Sequence, residues 1–249
     1  LKKHPEIFLP EVKELHFFNK YDSKLDLRDN YEKRGIRWYE KHFSNHNKKH
    51  KAIGEVTPLY LSDDYAPKRI YDTLGRVKLI VLLRNPIYRA YSHYWMAKNK
   101  GQINKSFNDI LNSPNNFILR RGLYSLQIKK YLKYFDINDF LFISTESLFK
   151  DKDVFLQTIF KFLNVNELYN IEGLEEIVNK SHKYRNLKLY KFLMNASDFT
   201  RNQLRMSFIV KFLKYLKINS FIKNLNSIET NYTSLNEKQY KKLKEYYRE

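Results

Sequence analysis

The chain has 249 residues of which 43% are hydrophobic, enough to build the core of one large α/β domain or two small ones, which excludes a disordered chain. A formal net charge of +19, from 46 basic and 27 acidic residues, predicts attraction to phosphate, sulfate, nucleic acid or an anionic membrane surface without choosing among them. The absence of cysteine excludes disulfides, thiolate catalysis and cysteine-ligated zinc or iron–sulfur centres, and it favours a reducing compartment, so the expected location is the cytoplasm.

No apolar run is long enough to span a bilayer and no secretory signal opens the chain. Glycine and proline number six each and are scattered, so the expected organisation is a single domain over 1–249, cut at both ends and mainly helical over 187–249. In chain order, Lys13 to Phe17 is expected to be extended, which would turn Glu14 and His16 to one face and Leu15 and Phe17 to the other. Strands are predicted at Ala52–Thr57, Val77–Arg84 and Phe140–Thr145, the second apolar on both faces as in a buried parallel sheet. Helices are predicted at Asp63–Leu74, Pro86–Lys98, Leu123–Phe135 and Val154–Leu163. Later apolar and aromatic residues at helical spacing mark Leu187–Met194, Phe208–Leu216 and Asn236–Glu249. Alternation of strand and helix implies a three-layer α/β fold.

Arg84 closes a buried strand, Asn85 suits an N-cap and Pro86 suits the first helical position. A helix N-terminus attracts anions, and with Arg84 before it and Ser92 about two turns along, a phosphate clamp is one reading. Pairing of Arg84 with a carboxylate is the other. An isolated Glu-x-His such as Glu14–His16 likewise suits either a solvated pair or an acid–base pair.

The run Leu82-Leu83-Arg84-Asn85-Pro86-Ile87-Tyr88-Arg89-Ala90-Tyr91-Ser92 resembles the 3′-phosphate-binding motif of sulfotransferases that use 3′-phosphoadenosine 5′-phosphosulfate (PAPS). His4 to Phe18 resembles the family's segment just downstream of its phosphosulfate loop, and Gly54-Glu55-Val56-Thr57-Pro58-Leu59-Tyr60 resembles its Gly-Glu-Lys-Ser/Thr-Pro-x-Tyr stretch, with Val56 where many members have lysine. Arg121-Gly122-Leu123-Tyr124 resembles an Arg-Gly-x-Tyr segment, and Ser181-His182-Lys183-Tyr184-Arg185 a Ser-x-Lys-Gly-Arg loop, with Tyr184 in place of glycine.

The resemblance implies a central, mostly parallel sheet of the P-loop-like sulfotransferase type with extra C-terminal helices, in a bacterial protein. It implies in-line transfer of a sulfuryl group from PAPS to a hydroxyl or amine, leaving 3′-phosphoadenosine 5′-phosphate (PAP), with no metal. Glu14 becomes the base and His16 its assistant. Arg84 and Ser92 hold the 3′-phosphate, Lys183 and Arg185 add cofactor contacts, and Lys13, Arg121 and Tyr124 line the acceptor cleft. Glu55 is read as capping or pairing, with a second acidic group near the acceptor as the alternative. The family's Lys-x-Gly-Thr-Thr loop does not occur in these residues, and it is expected upstream of Leu1. The expected acceptor is an acidic or neutral glycan or a small molecule.

The main rival is a non-catalytic basic protein that binds nucleic acid or an acidic glycan. No helix-turn-helix, zinc spacing or RNP-like motif supports specific nucleic-acid binding. A P-loop kinase or NTPase shares the strand–loop–helix phosphate logic but would require Mg²⁺.

Overall fold

The structure, a computed structural model, describes residues 1–23, 26–171, 182–184, 227–229 and 233–248. Two parallel strand pairs form the sheet elements nearest the candidate site. Strand β1 (Ile7–Phe8) pairs with β4 (Ala52–Ile53), and β5 (Leu79–Leu83) pairs with β6 (Phe140–Ser144), in register from Leu79 opposite Phe140 to Leu83 opposite Ser144. Between β1 and β4 run an antiparallel hairpin, β2 (Tyr21–Ser23) with β3 (Asp26–Arg28), and helix α1 (Asn30–Lys41).

The period-two pleat of the β5–β6 pair explains its doubly apolar sequence. Leu79, Val81 and Leu83 of β5, with Phe140 of β6, face a core shared by α1, α2 (Ala66–Leu74) and α6 (Tyr124–Tyr131). Ile80 with Leu141 and Ile143 faces the opposite core, filled by Phe155, Leu156, Ile159 and Phe160 of α8 (Lys152–Leu163). β1 and β4 contribute Ile7 and Ala52 to that second core. Helices on both faces of parallel strands make the three-layer α/β arrangement that strand–helix alternation implied.

The predicted strands are trimmed by their surroundings. Ala52–Thr57 reduces to Ala52–Ile53 because Pro58 opens a 3₁₀ turn over Pro58–Ser62 that buries Tyr60. Helix α1 went unpredicted because Gly35 interrupts its pattern: at φ 68° it breaks the regular turn, and two helical pieces meet across it. Asp29 caps α1, accepting from the Glu32 N–H.

The chain divides into two compact units, Leu1–Asn85 with Leu123–Glu176, and Pro86–Gly122 with Ile177–Glu249. In the second unit, α3 (Pro86–Asn99) buries Ile87, Ala90, Tyr94 and Ala97, a spacing of three and four residues that puts them on one face. They pack with α4 (Phe107–Leu111), α5 (Phe117–Arg120) and Leu243 of the C-terminal helix α9 (Glu237–Tyr246). Asn236 starts α9 with a capping box. Strands β7 (His182–Tyr184) and β8 (Ser227–Glu229) pair antiparallel. The helices expected at Leu187–Met194 and Phe208–Leu216 lie outside the described residues.

Candidate functional site

Residues 13–18 do not form the expected strand. Glu14 and His16 both take left-handed backbone, φ 58° and 50°, with Leu15 between them. The reason lies in what must be buried. A strand would send the adjacent Phe17 and Phe18 to opposite faces, whereas Leu15, Phe17 and Phe18 all enter one core at 3%, 1% and 1% exposure. Phe17 stacks on Tyr39 at 4.7 Å between ring centres, and Phe18 meets Tyr60 edge-on at 5.7 Å. Each buried phenylalanine contributes about 1.5–3 kcal/mol, enough to offset the roughly 1–3 kcal/mol that a left-handed non-glycine residue costs.

The turn nevertheless brings the expected pair together. His16 Nε2 lies 3.5 Å from Glu14 Oε2, and both side chains keep access to solvent. His16 Nδ1 is 3.2 Å from Asn19 Oδ1, which orients the ring. The Asn30 side chain donates to the Leu15 and His16 carbonyls at 3.4 and 3.1 Å. Lys13 is exposed at the start of the turn.

Beneath this turn lies a polar cluster whose organisation the sequence reading missed. Glu55 accepts from the Thr57 hydroxyl at 2.8 Å and from the Tyr60 hydroxyl at 2.9 Å. The Tyr39 hydroxyl and the Leu15 N–H also favour its charged form. Burial pushes the Glu55 carboxyl above the usual carboxylate range, against the opposing pull of these donors. Burial likewise raises the Tyr39 and Tyr60 hydroxyls, helped by the Glu55 charge, so both phenols keep their protons. Of the two readings for Glu55, this cluster carries the structural one. Val56, where many family members have lysine, is exposed. The one signal in the sequence was the Glu55-x-Thr57-x-x-Tyr60 spacing that a 3₁₀ turn folds onto one carboxyl.

Arg84 follows β5 directly and is exposed, and among the described residues no carboxylate pairs with it. The Asn85 N–H donates to Glu146 Oε1 at 3.2 Å, and this bond leads the interactions that hold the Glu146 carboxyl below its ordinary range. Ser92 is half-buried on α3. Arg121 caps the end of α5 with its guanidinium 5.6 Å from the Phe117 ring centre, and Tyr124 is the first residue of α6. Lys183 belongs to β7, whereas Arg185 lies outside the described residues. The structure thus unites Lys13, Glu14 and His16 on one turn and places Arg84, Ser92, Arg121, Tyr124 and Lys183 on other elements.

The family model described as "Sulfotransferase domain" matches residues 4–249. The chain belongs to the sulfotransferase family. Within that family it is 37% identical over 107 residues to the membrane-associated sulfotransferase kil1 of Dictyostelium discoideum, covering 40% of this chain and 21% of the relative. It is 30% identical over 176 residues to heparan sulfate glucosamine 3-O-sulfotransferase 5 of Mus musculus, covering 66% of this chain and 48% of the relative. The sulfotransferase domain therefore spans about half or less of these curated relatives. A sulfotransferase from Alicyclobacillus acidocaldarius shares the fold, with a TM-score of 0.61 at 24% identity over 80% of this chain and 85% of that one. Among the described residues of the sulfotransferase domain, no helix is long and apolar enough to cross a membrane.

Gly122, within the matched Arg-Gly-x-Tyr segment, earns its place by packing. A Cβ there would lie 2.7 Å from the Tyr247 ring, whose hydroxyl donates to the Leu119 carbonyl at 2.9 Å.

Proposed function

We propose that this domain transfers a sulfuryl group from PAPS to a hydroxyl or amine of a carbohydrate-containing acceptor, with Glu14 as the general base. The observation that carries the reading is the Glu14–His16 pair, 3.5 Å apart on a turn held by buried aromatics, with the carboxylate still reachable from solvent. The donor would supply a sulfuryl group already activated by its bond to phosphate. Arg84 and Ser92 would hold its 3′-phosphate. The fit rests on donor chemistry: an exposed guanidinium with no carboxylate partner among the described residues, at the carboxyl end of a parallel strand, and a half-buried hydroxyl on the helix that follows in sequence.

Glu14 takes the acceptor proton as the acceptor oxygen or nitrogen bonds to sulfur and the bond from sulfur to the phosphate oxygen breaks, its electron pair leaving on the phosphate. His16 orients the acceptor through the same turn. Lys13, Arg121 and Tyr124 would line the acceptor cleft, and Lys183 and Arg185 would add cofactor contacts. The glycan acceptor is supported by the relatives named as heparan sulfate glucosamine 3-O-sulfotransferases. The net charge of +19 suits an anionic chain. A cytoplasmic setting belongs to the same proposal and rests on the cysteine-free composition, while a bacterial source rests on the family resemblance alone.

The test is thermal shift of the intact protein with PAP, ADP and ATP, paired with turnover of Glu14→Gln. The expected result is selective stabilisation by PAP and a fall in kcat of about 10²–10⁴-fold in the variant with PAP affinity retained. Equal shifts by all three nucleotides would overturn the donor. Wild-type turnover in Glu14→Gln would overturn the base.

A further inference from the structure

Two left-handed residues, Glu14 and His16, flank Leu15, and neither is glycine, the one type that adopts this conformation without steric cost. Such a backbone persists only where its surroundings over-determine it. Side-chain burial accounts for Leu15, Phe17 and Phe18 entering the core, but burial is non-directional and leaves open how the intervening peptide planes are turned. The peptide planes are set by hydrogen bonds.

The Tyr60 hydroxyl accepts from the Phe17 N–H at 3.0 Å and from the Phe18 N–H at 3.4 Å, and it spends its single proton on Glu55 Oε1 at 2.9 Å. A phenol has one proton and two lone pairs, so this arrangement uses all of its capacity. Glu55 is in turn fixed by the Thr57 hydroxyl, which donates to its other carboxylate oxygen at 2.8 Å. The amides of Phe17 and Phe18 therefore end on one cluster, while the Leu15 and His16 carbonyls are held by Asn30.

We infer that Glu55 and Tyr60 form a positioning relay that locks the Glu14–His16 turn in the conformation needed for proton abstraction. The inference rests on Glu14 being the base, and it adds two positioning residues behind the turn, the buried Tyr60 and the half-buried Glu55. Glu55 acts through the Tyr60 hydroxyl. It aims the carboxylate of Glu14 and keeps the His16 ring beside it.

Tyr60→Phe keeps the ring against Phe18 and removes only the hydroxyl. The expected result, measured per folded molecule, is a kcat about 10–100-fold lower, with acceptor KM and PAP affinity within about twofold of wild type. In a Glu14→Gln background the same substitution should cause no further loss, because the relay acts through that carboxylate. Glu55→Gln, which matches the carboxylate in size but presents an amide to the surrounding donors, should reproduce the kcat loss, and it carries the test where Tyr60→Phe fails to fold.

If Glu14→Gln is inactive while Tyr60→Phe and Glu55→Gln keep kcat within twofold of wild type, the relay is overturned and the base assignment stands. Losses that multiply in the double variant overturn the relay as well. Wild-type activity in Glu14→Gln removes the base assignment and the relay with it.

Discussion

Replacing Arg69 with methionine should destabilise the unit that carries the candidate base. Arg69 sits on α2 and makes a two-pronged pair with Asp29, each arm at 2.9 Å, with side-chain exposures of 11% and 14%. It also reaches Glu32 at 3.3 Å and the Phe18 carbonyl at 3.4 Å, at the foot of the Glu14–His16 turn, and its guanidinium lies 4.6 Å from the Tyr31 ring centre. Methionine keeps most of the stem but leaves the Asp29 carboxylate mostly buried without its cation. Removing one partner of a buried pair costs about 3–5 kcal/mol. Asp29 keeps its bond from the Glu32 N–H, so the low end, about 3 kcal/mol, is expected, or a melting temperature lower by about 6–12 °C.

The pH dependence supplies an internal control. Burial raises the Asp29 carboxyl, but the hydrogen bonds from Arg69 and the Glu32 amide outweigh it and hold the group below its ordinary value. A depressed acid contributes stability that is present above its unfolded pKa, near 3.8, and is lost as pH falls through the lower folded value. The gap between wild type and variant in urea unfolding should therefore be full at neutral pH and close below about pH 4. A gap under about 1 kcal/mol at neutral pH, in the range of an exposed pair, would refute the reasoning.

Arg84→Ala should weaken PAP binding about 10–100-fold by calorimetry, as expected for losing a charge-assisted contact, with kcat preserved at saturating donor; unchanged affinity would remove Arg84 from the site. Gly122→Ala should cost about 1–3 kcal/mol of stability by forcing the Tyr247 ring aside, and a neutral effect in chemical unfolding would show that the ring moves freely. His93 is held down to about 4 by burial and then by the Arg121, Arg89 and Lys100 charges. A depressed imidazole is neutral in the fold and protonated when unfolded between about pH 4 and 6.5, so stability should fall across that window as pH drops, by up to roughly 3 kcal/mol. His93→Gln should flatten that slope, and an unchanged slope would assign the acid sensitivity elsewhere.

Much of the fold was legible because its signals are local. The β5 strand and the α3 helix were predicted to within two residues at each end, since an unbroken Leu/Ile/Val run is followed at once by Asn85 and Pro86. Elements that escaped prediction are those whose pattern is short or broken: β1 has two residues, and α1 is interrupted by Gly35. The candidate base and its histidine were found by residue type and order. Their neighbour Glu55 was named without its partners: Thr57 and Tyr60 are close in sequence but meet its carboxyl only once the 3₁₀ turn forms, and Phe17 and Phe18, whose amides the Tyr60 hydroxyl binds, lie some forty positions away.

The sequence by itself determined the layer order, the strand–arginine–helix block and the presence of a Glu-x-His pair, all set by residues a few positions apart. Only the tertiary structure decided how that pair meets. Alternating extended backbone would have put Glu14 and His16 on one face by periodicity. The need to bury Leu15, Phe17 and Phe18 together instead turns both residues left-handed, and a tyrosine hydroxyl some forty positions away binds the amides that follow. Such a conformation is set by competition between buried area and backbone strain, and that balance exists only once the core around it is complete.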